Sequence, residues 1–203
     1  WKFSTFAGIT NSFGSINDVY NGFILLSAKN LSSRNTDIQQ TRSNFVGSRL
    51  EYRNPLNNIF FNVSYNFNDR TNNVTFLNEL DEASQQFIIK GYNLENNSKT
   101  NSARTELGKY FPKFKTNASV GYNYSLSNYQ QLPANSTPTE SSFIDVEGRN
   151  QGVSVKFNNN YFSWLSVDYN ANWSFSKTQS PDDARFNNKT NSFNHALSAY
   201  VYP

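Results

Sequence analysis

The sequence of 203 residues contains no cysteine and no methionine, and His195 is its only histidine. Without cysteine, the chain forms neither a disulfide nor a thiolate metal site. With one imidazole, a zinc site would need an unusual all-carboxylate set of ligands. Nucleophilic catalysis would have to pass through His195, and neither a nucleophile-elbow motif nor a phosphate-cradling glycine loop is present. We therefore predict no enzyme activity, no catalytic residue, no metal site and no cofactor.

Long apolar runs are also missing. A transmembrane helix needs about eighteen consecutive apolar residues, and the short apolar run at residues 23–26 does not approach that length. Lys and Arg exceed Asp and Glu by only 18 to 15, which is too small an excess to indicate a nucleic-acid partner. No signal peptide is visible, and the first residue is Trp1. We expect the chain to be processed or to be a piece of a longer polypeptide.

The residues that are abundant point to a particular kind of strand. Hydrophobic residues make up only 36% of the chain and the mean hydropathy is −0.69, yet 16% of residues are aromatic. Disordered chains lack such aromatics, and globular enzymes carry more aliphatic side chains. Tyrosine and phenylalanine beside abundant asparagine and serine suit β-strands with one wet and one apolar face.

Three stretches of about ten residues alternate apolar and polar side chains, so each predicts an amphipathic strand. Ten residues at about 3.3 Å each, tilted by about 45°, span roughly 23 Å, which matches the apolar slab of a bilayer. We predict that the apolar positions of these strands face lipid and that the polar ones face a watery lumen. The predicted lipid-facing residues are Ile59, Phe61, Val63, Ala118, Val120, Tyr122, Val167, Tyr169 and Trp173.

The connections between predicted strands alternate in length. Short turns follow Asn54, Phe111 and Tyr161, whereas long polar connections cover roughly 13–42, 70–99, 128–144 and 178–189. Segments 72–80 and 86–94 also resemble strands and would extend a hairpin beyond the membrane. Short turns on one side and long loops on the other are typical of outer-membrane barrels. The pattern predicts eight antiparallel spanning strands.

Aromatic residues crowd the turn ends of these strands, as expected of an interfacial girdle. A second set, formed by Phe67, Tyr124, Trp173 and Phe175, lies near the loop ends. The alternative is an ordinary aromatic core in a soluble β-sandwich. The predicted girdle consists of Trp1, Tyr110, Phe111, Phe114, Tyr161, Phe162, Trp164 and Tyr202.

Pairing apolar with apolar side chains around residue 162 sets Val155 opposite Tyr169. This register places Lys156 directly against Asp168, a predicted lumen ion pair. His195 falls on the apolar face, nearer the loop side, where a structural role is favoured over a catalytic one. Solvated turns explain Asp81-Glu82 and Asp182-Asp183 better than calcium sites. Lumen positions are also predicted for Arg49, Glu51, Arg104 and Glu106.

Several segments resemble hairpins of large TonB-dependent receptor barrels of Gram-negative outer membranes. The resemblance is to the SusC-like receptors and to related barrels with a carboxypeptidase-regulatory-like N-terminal domain, and it runs through most of the chain. No ligand-binding position transfers to a particular residue. The segments are Tyr52-Arg53-Asn54-Pro55-Leu56, Ile59-Phe60-Phe61-Asn62, Lys109-Tyr110-Phe111-Pro112-Lys113-Phe114-Lys115-Thr116, Trp164-Leu165-Ser166-Val167-Asp168-Tyr169 and Ala199-Tyr200-Val201-Tyr202-Pro203.

This resemblance implies an antiparallel transmembrane β-barrel of about twenty-two strands, plugged by an N-terminal domain and powered by the TonB system. Residues 1–203 would supply about eight of its spanning strands, without plug domain or signal peptide, and the barrel would import a peptide or oligosaccharide. Its expected partners are outer-membrane lipid, the plug, TonB and a surface lipoprotein. Alternatives are a complete eight-stranded barrel acting as anchor or adhesin, and a secreted glycan-binding β-sandwich. A third rival, a barrel enzyme, would need a Ser and an Asn or acidic partner near His195 on the outer face.

Overall fold

A computed structural model describes residues 1–15, 19, 22–27, 30–33, 36–81, 86–133, 138–139 and 142–202, with the side chain of Asp81 excepted. Glu82 and Pro203, which entered the sequence predictions, lie outside these residues. The fold is all-β, as predicted, and the described residues form twelve strands in two sheets. Among the described residues, no helix has the length and apolar character needed to cross a bilayer.

The main sheet has eight strands, and every neighbouring pair is antiparallel. It is open, because β1 pairs only with β4 and β12 only with β11 among the described residues. The eight predicted strands are therefore present, but they do not close into a barrel. They are β1 (Lys2–Phe13), β4 (Gln40–Asn54), β5 (Ile59–Asn72), β8 (Asn96–Phe111), β9 (Thr116–Gln131), β10 (Ile144–Phe162), β11 (Leu165–Gln179) and β12 (Asn188–Val201).

The two faces of this sheet differ in chemistry along all eight strands. Successive side chains point to opposite sides, and the register brings like positions together across each pair. On the polar face lie residues such as Arg49, Asn66, Arg104, Asn123, Ser154, Asn172 and Asn194. On the apolar face lie residues such as Val46, Phe61, Leu107, Val120, Val155, Trp173 and Leu197.

Tight turns join the strands at one end of the sheet, called here the turn end. The Asn54 carboxamide oxygen accepts hydrogen bonds from the backbone N–H groups of Leu56 (3.0 Å) and Asn57 (3.2 Å), which fixes the β4–β5 turn. A 3-10 turn over Pro112–Phe114 joins β8 to β9 and ends at Lys115, whose φ of 44° is left-handed. The predicted turns are thus confirmed, since these residues take the local conformations that tight connections need.

Longer connections occupy the opposite, loop end, and two of them contribute strands to a second sheet. The predicted strand-like segments become β6 (Thr75–Asp81) and β7 (Gln86–Tyr92), which pair with each other. They continue the β5–β8 hairpin after a short break, as predicted, since Asn72 pairs with Asn96 and Thr75 pairs with Tyr92. They join β2 (Ile24–Ser27) and β3 (Asn30–Ser33) in the order β2-β3-β7-β6, with β3 and β7 parallel.

The buried apolar side chains concentrate at the loop end. Val74, Leu77, Leu132 and Val146 are each at most 5% exposed, and they lie where the long connections meet the strands. Apart from Val146 near the start of β10, the described strands of the main sheet contribute one buried apolar side chain, that of Ala171, which is 4% exposed. The core of this chain is therefore small, and it does not lie beneath the apolar face.

The predicted register of the β10–β11 hairpin is wrong by two residues. Val155 lies opposite Ala171 instead of Tyr169, and Lys156 lies opposite Asn170 instead of Asp168. The reason is the position of the turn. Phe162 pairs with Leu165, so the chain reverses at residues 163–164 and not at residue 162. An irregularity between Asn159 and Phe162 then moves the pairing back by one residue. Apolar residues still meet apolar ones, because the displacement is an even number of residues.

Candidate functional site

The polar face carries a repeated arginine–glutamate motif on two strands. Arg49 and Glu51 lie on β4, and Arg104 and Glu106 lie at equivalent positions on β8. Strand β5 runs between them, so Ser64 lies opposite both arginines. The Arg49 Nε and Glu51 Oε1 atoms are 2.8 Å apart, whereas Arg104 Nη2 and Glu106 Oε2 are 3.9 Å apart.

A depression of about 450 Å³ lies over this motif. Its floor is the amide and hydroxyl surface of β5, and the Phe6 ring forms an apolar wall. The depression therefore offers two cations, hydrogen-bonding groups and one aromatic surface to a ligand on the polar face. Its lining residues are Phe6, Arg49, Asn62, Ser64, Asn66, Arg104 and Glu106.

A second depression, of about 520 Å³, extends over the strands from β8 to β12. Arg104 and Lys156 line it, and Asn172 and Asn194 add carboxamides. Gly121 lies between Glu106 and Ser154, and the Ser154 Oγ atom occupies the space beside it, 2.6 Å from where a Cβ atom would be. Glu106 does not line this depression; its carboxylate lines the neighbouring one.

The predicted ion pair between Lys156 and Asp168 is not a directly opposed pair. Asp168 lies opposite Asn158, whose carboxamide N–H donates a hydrogen bond to its carboxylate, and Lys156 is its diagonal neighbour. Both side chains line a third depression on the polar face, which also contains Phe60. The structure thus keeps both residues on the predicted face but changes their partners, for the register reason given above.

All nine residues predicted to face lipid lie on the apolar face. The positions on β5, β9 and β11 fall in the same alternation, and neighbouring strands place apolar residues beside them. Many side chains of this face are exposed: Val120 is 52%, Leu107 53% and Leu197 69% exposed. No described element covers them, and a contiguous exposed apolar surface across neighbouring strands is unusual in a protein surrounded by water.

Seven of the eight predicted girdle residues are exposed at the turn end or in the turns themselves. The Phe162 ring lies 5.0 Å from that of Tyr161 and 5.6 Å from that of Trp164, measured between centroids. Tyr110 is the exception, because its register position opposite Asn117 places it on the polar face. The seven are Trp1, Phe111, Phe114, Tyr161, Phe162, Trp164 and Tyr202.

His195 lies on the apolar face, as predicted, but halfway along β12 instead of nearer the loops. Its ring stacks on Phe193 at 5.3 Å, so aromatic packing accounts for its position. Within the described part of the chain, no cluster of three or more His, Asp or Glu residues could hold a metal ion.

The predicted solvated turn at Asp182-Asp183 has a defined local role. Asp183 accepts hydrogen bonds from the backbone N–H and the guanidinium of Arg185, at 2.6 to 3.0 Å. These side-chain hydrogen bonds lower the pKa of Asp183 and raise the pKa of Arg185. The carboxylate therefore caps the 3-10 turn Ala184–Phe186 and neutralises the neighbouring cation.

Sequence reasoning missed that phenylalanines on the polar face cover glycines on the next strand. Phe60, the one break in the alternation of β5, lies directly opposite Gly108, and a Cβ atom on Gly108 would be 2.0 Å from the Phe60 ring. Phe6 and Gly47, and Phe45 and Gly8, repeat the arrangement between β1 and β4. An aromatic residue on a polar row, opposite a glycine, is the signal that could have found these pairs.

A comparison with models of known protein families finds no match to this chain. A search among curated proteins likewise returns none.

Proposed function

We propose that this chain forms part of the wall of an outer-membrane β-barrel, as a segment of a TonB-dependent receptor that imports a bulky nutrient. The observation that carries the proposal is the exposed apolar face of the main sheet. Eight adjacent strands present large apolar side chains there, and no described element covers them. Burial of this surface in lipid would remove it from water. For apolar groups, removal from water is the dominant favourable contribution to the free energy of folding.

The dimensions of the apolar face agree with this role. On β11 the apolar residues run from Leu165 to Phe175. Ten steps of about 3.3 Å give about 33 Å along the strand, or about 25 Å along the membrane normal at a tilt of about 40°. That height equals the apolar band of outer-membrane barrels.

The open edges favour a segment of a larger barrel over either rival. A complete eight-stranded barrel would pair β1 with β12, and the two strands do not pair. A glycan-binding β-sandwich would pack a second sheet on the apolar face, whereas the four-stranded sheet is built from the loop-end connections. Unpaired edges in lipid would leave backbone groups without partners, so further strands are required on both sides.

The polar face would line the bore. Its serine and asparagine side chains present donors and acceptors to water and to a passing ligand, and the depressions lined by Ser64 and by Ser154 would hold a ligand briefly through several replaceable hydrogen bonds. A peptide or an oligosaccharide fits such a surface. Coupling to a plug domain, to TonB and to a surface lipoprotein follows from the family resemblance alone.

Single-cysteine labelling of the full-length protein in outer membranes tests the proposal; residues 1–203 contain no cysteine, and any cysteine outside them is first replaced by serine. We expect Asn123→Cys, on the polar face, to react with a water-soluble maleimide. We expect Val120→Cys, on the apolar face of the same strand, to react only with a membrane-permeant maleimide. Equal labelling of both by the water-soluble reagent, or recovery of the protein without detergent, would overturn the proposal.

A further inference from the structure

The apolar face ends toward the loop end in a row of three cations. Arg149 on β10 lies directly opposite Lys177 on β11, and Lys177 lies directly opposite Lys189 on β12. All three side chains are exposed. Adjacent strands are about 4.8 Å apart, so the row extends over about 10 Å.

Directly opposed like charges destabilise a strand pair, and this row contains two such pairs in succession. Arg149 has an acidic neighbour, since its Nε atom lies 2.7 Å from Glu147 Oε1. Lys177 and Lys189 have no carboxylate within 4.0 Å among the described residues. The row therefore carries an uncompensated positive charge, whereas further along the same face Lys99 lies opposite Asp69.

An aromatic surface adjoins the cations on the side toward the turn end. Phe175 lies two residues before Lys177 on the same strand, a distance of about 7 Å. Trp173 and Phe193 follow, with ring centroids 4.4 Å apart and nearly parallel planes. Beyond them the apolar face continues to Leu165. A ligand that satisfies this whole surface needs an anionic head and a long apolar body.

We propose that Arg149, Lys177 and Lys189 bind the phosphate groups of an outer-leaflet membrane lipid whose acyl chains lie against Phe175, Trp173 and Phe193. The inference rests on the proposed membrane location and adds a specific lipid site to it. Phosphate suits the row, because its several oxygens bridge neighbouring ammonium groups and accept paired hydrogen bonds from a guanidinium. The bound anion relieves the repulsion between the opposed cations. A nucleic acid would leave the apolar surface below the row uncovered.

The test uses full-length protein in phosphatidylcholine nanodiscs that contain either bisphosphorylated lipid A or the same lipid with its phosphates removed. Native mass spectrometry measures how much of the lipid the protein retains. We expect preferential retention of the phosphorylated form, and about tenfold less of it for the double variant Lys177→Gln/Lys189→Gln. The double variant Lys177→Arg/Lys189→Arg keeps the charge and should retain the lipid.

The matched control is Lys109→Gln, which removes a cation that lies over the Phe111 ring on the same face but at the turn end. It should leave lipid A retention unchanged. Excess inorganic phosphate should not displace the lipid, because free phosphate lacks the apolar body.

Insertion into nanodiscs with equal retention of both lipids overturns this inference and leaves the proposed function standing. Failure to insert into any nanodisc overturns both. Displacement by free phosphate, or binding of a fluorescent DNA duplex that requires the same lysines, would identify a different anion and also overturn the lipid site.

Discussion

Phenylalanine faces glycine across neighbouring strands at three places on the polar face. In each pair the ring occupies the space that a Cβ atom at the glycine position would need. The ring shields the glycine backbone from water and restores contacts that a glycine in a strand lacks. The Phe6 and Phe45 rings also approach each other, with centroids 6.4 Å apart. Aromatic residues on an otherwise hydrophilic row therefore have a structural reason to be there.

The Phe60–Gly108 pair predicts strong coupling between two substitutions. Gly108→Ala alone should lower the free energy of unfolding by about 1–3 kcal/mol, because its methyl group collides with the ring. Adding Phe60→Ala removes the collision, so the double variant should be more stable than the sum of the single effects by about 1 kcal/mol. Urea unfolding in lipid vesicles measures this cycle. Additive effects would show that the ring does not rest on Gly108.

At the scale of elements, the four-stranded sheet has a polar network of its own. Glu79 on β6 accepts a hydrogen bond from the Lys90 ammonium (2.5 Å) and another from the Tyr92 hydroxyl (3.0 Å), both on β7. Chiefly because of the Lys90 hydrogen bond, the pKa of Glu79 lies below its usual value of 4.5, although partial burial opposes the shift. The carboxylate thus ties the two strands together when it is ionised.

The lowered pKa of Glu79 gives the β6–β7 hairpin a predicted pH dependence. Its stabilising contribution is complete above about pH 4.5 and is lost as the pH falls through the lower pKa of the folded state. The effect should stay below about 1 kcal/mol, because the pair is partly exposed to water. Hydrogen exchange of β6 and β7 amides, compared at equal pH, should show Glu79→Gln exchanging faster near neutrality and no difference at low pH.

The control for that comparison is Glu95→Gln. Glu95 is exposed, lies beyond the end of β7 and is not a member of the network. It should leave the exchange of both strands unchanged at every pH. Faster exchange near neutrality in this variant too would attribute the effect to overall charge instead of the Glu79 network.

At the scale of the whole molecule, the two faces of the main sheet are stable in opposite environments. The polar face needs water or a polar ligand, and the apolar face needs an apolar environment. Because the sheet is a single layer, the polar and the apolar environment lie on opposite sides of each strand at the same depth. Neighbouring residues of one strand should therefore respond very differently to the same substitution.

Val63 and Asn62 provide the comparison, since they are adjacent on β5 and point to opposite faces. In vesicles, Val63→Arg should lower the free energy of unfolding by about 2–4 kcal/mol, the cost of an arginine in the middle of the lipid. Asn62→Arg should change it by less than about 0.5 kcal/mol, because Asn62 lies between Glu51 and Glu106. The reverse order, measured by denaturant unfolding, would show that the face of Val63 is in water.

The sequence alone determined the strands, the faces and the turns, because these depend on neighbours along the chain. Alternation assigned Val120 and Asn123 to opposite faces, and turn chemistry located the reversals near Asn54 and Pro112. The eight strands of the main sheet and the separate β6 and β7 could all be predicted in this way.

Only the tertiary structure decided what depends on pairing between distant segments. Alternation fixes a face but not a register, since a shift of two residues leaves every side chain on the same face, and so Lys156 and Asp168 received different partners. The parallel contact of β3 with β7 and the cover of Gly108 by Phe60 also follow from strand pairing. The row of Arg149, Lys177 and Lys189 joins three strands, and no local pattern reveals it.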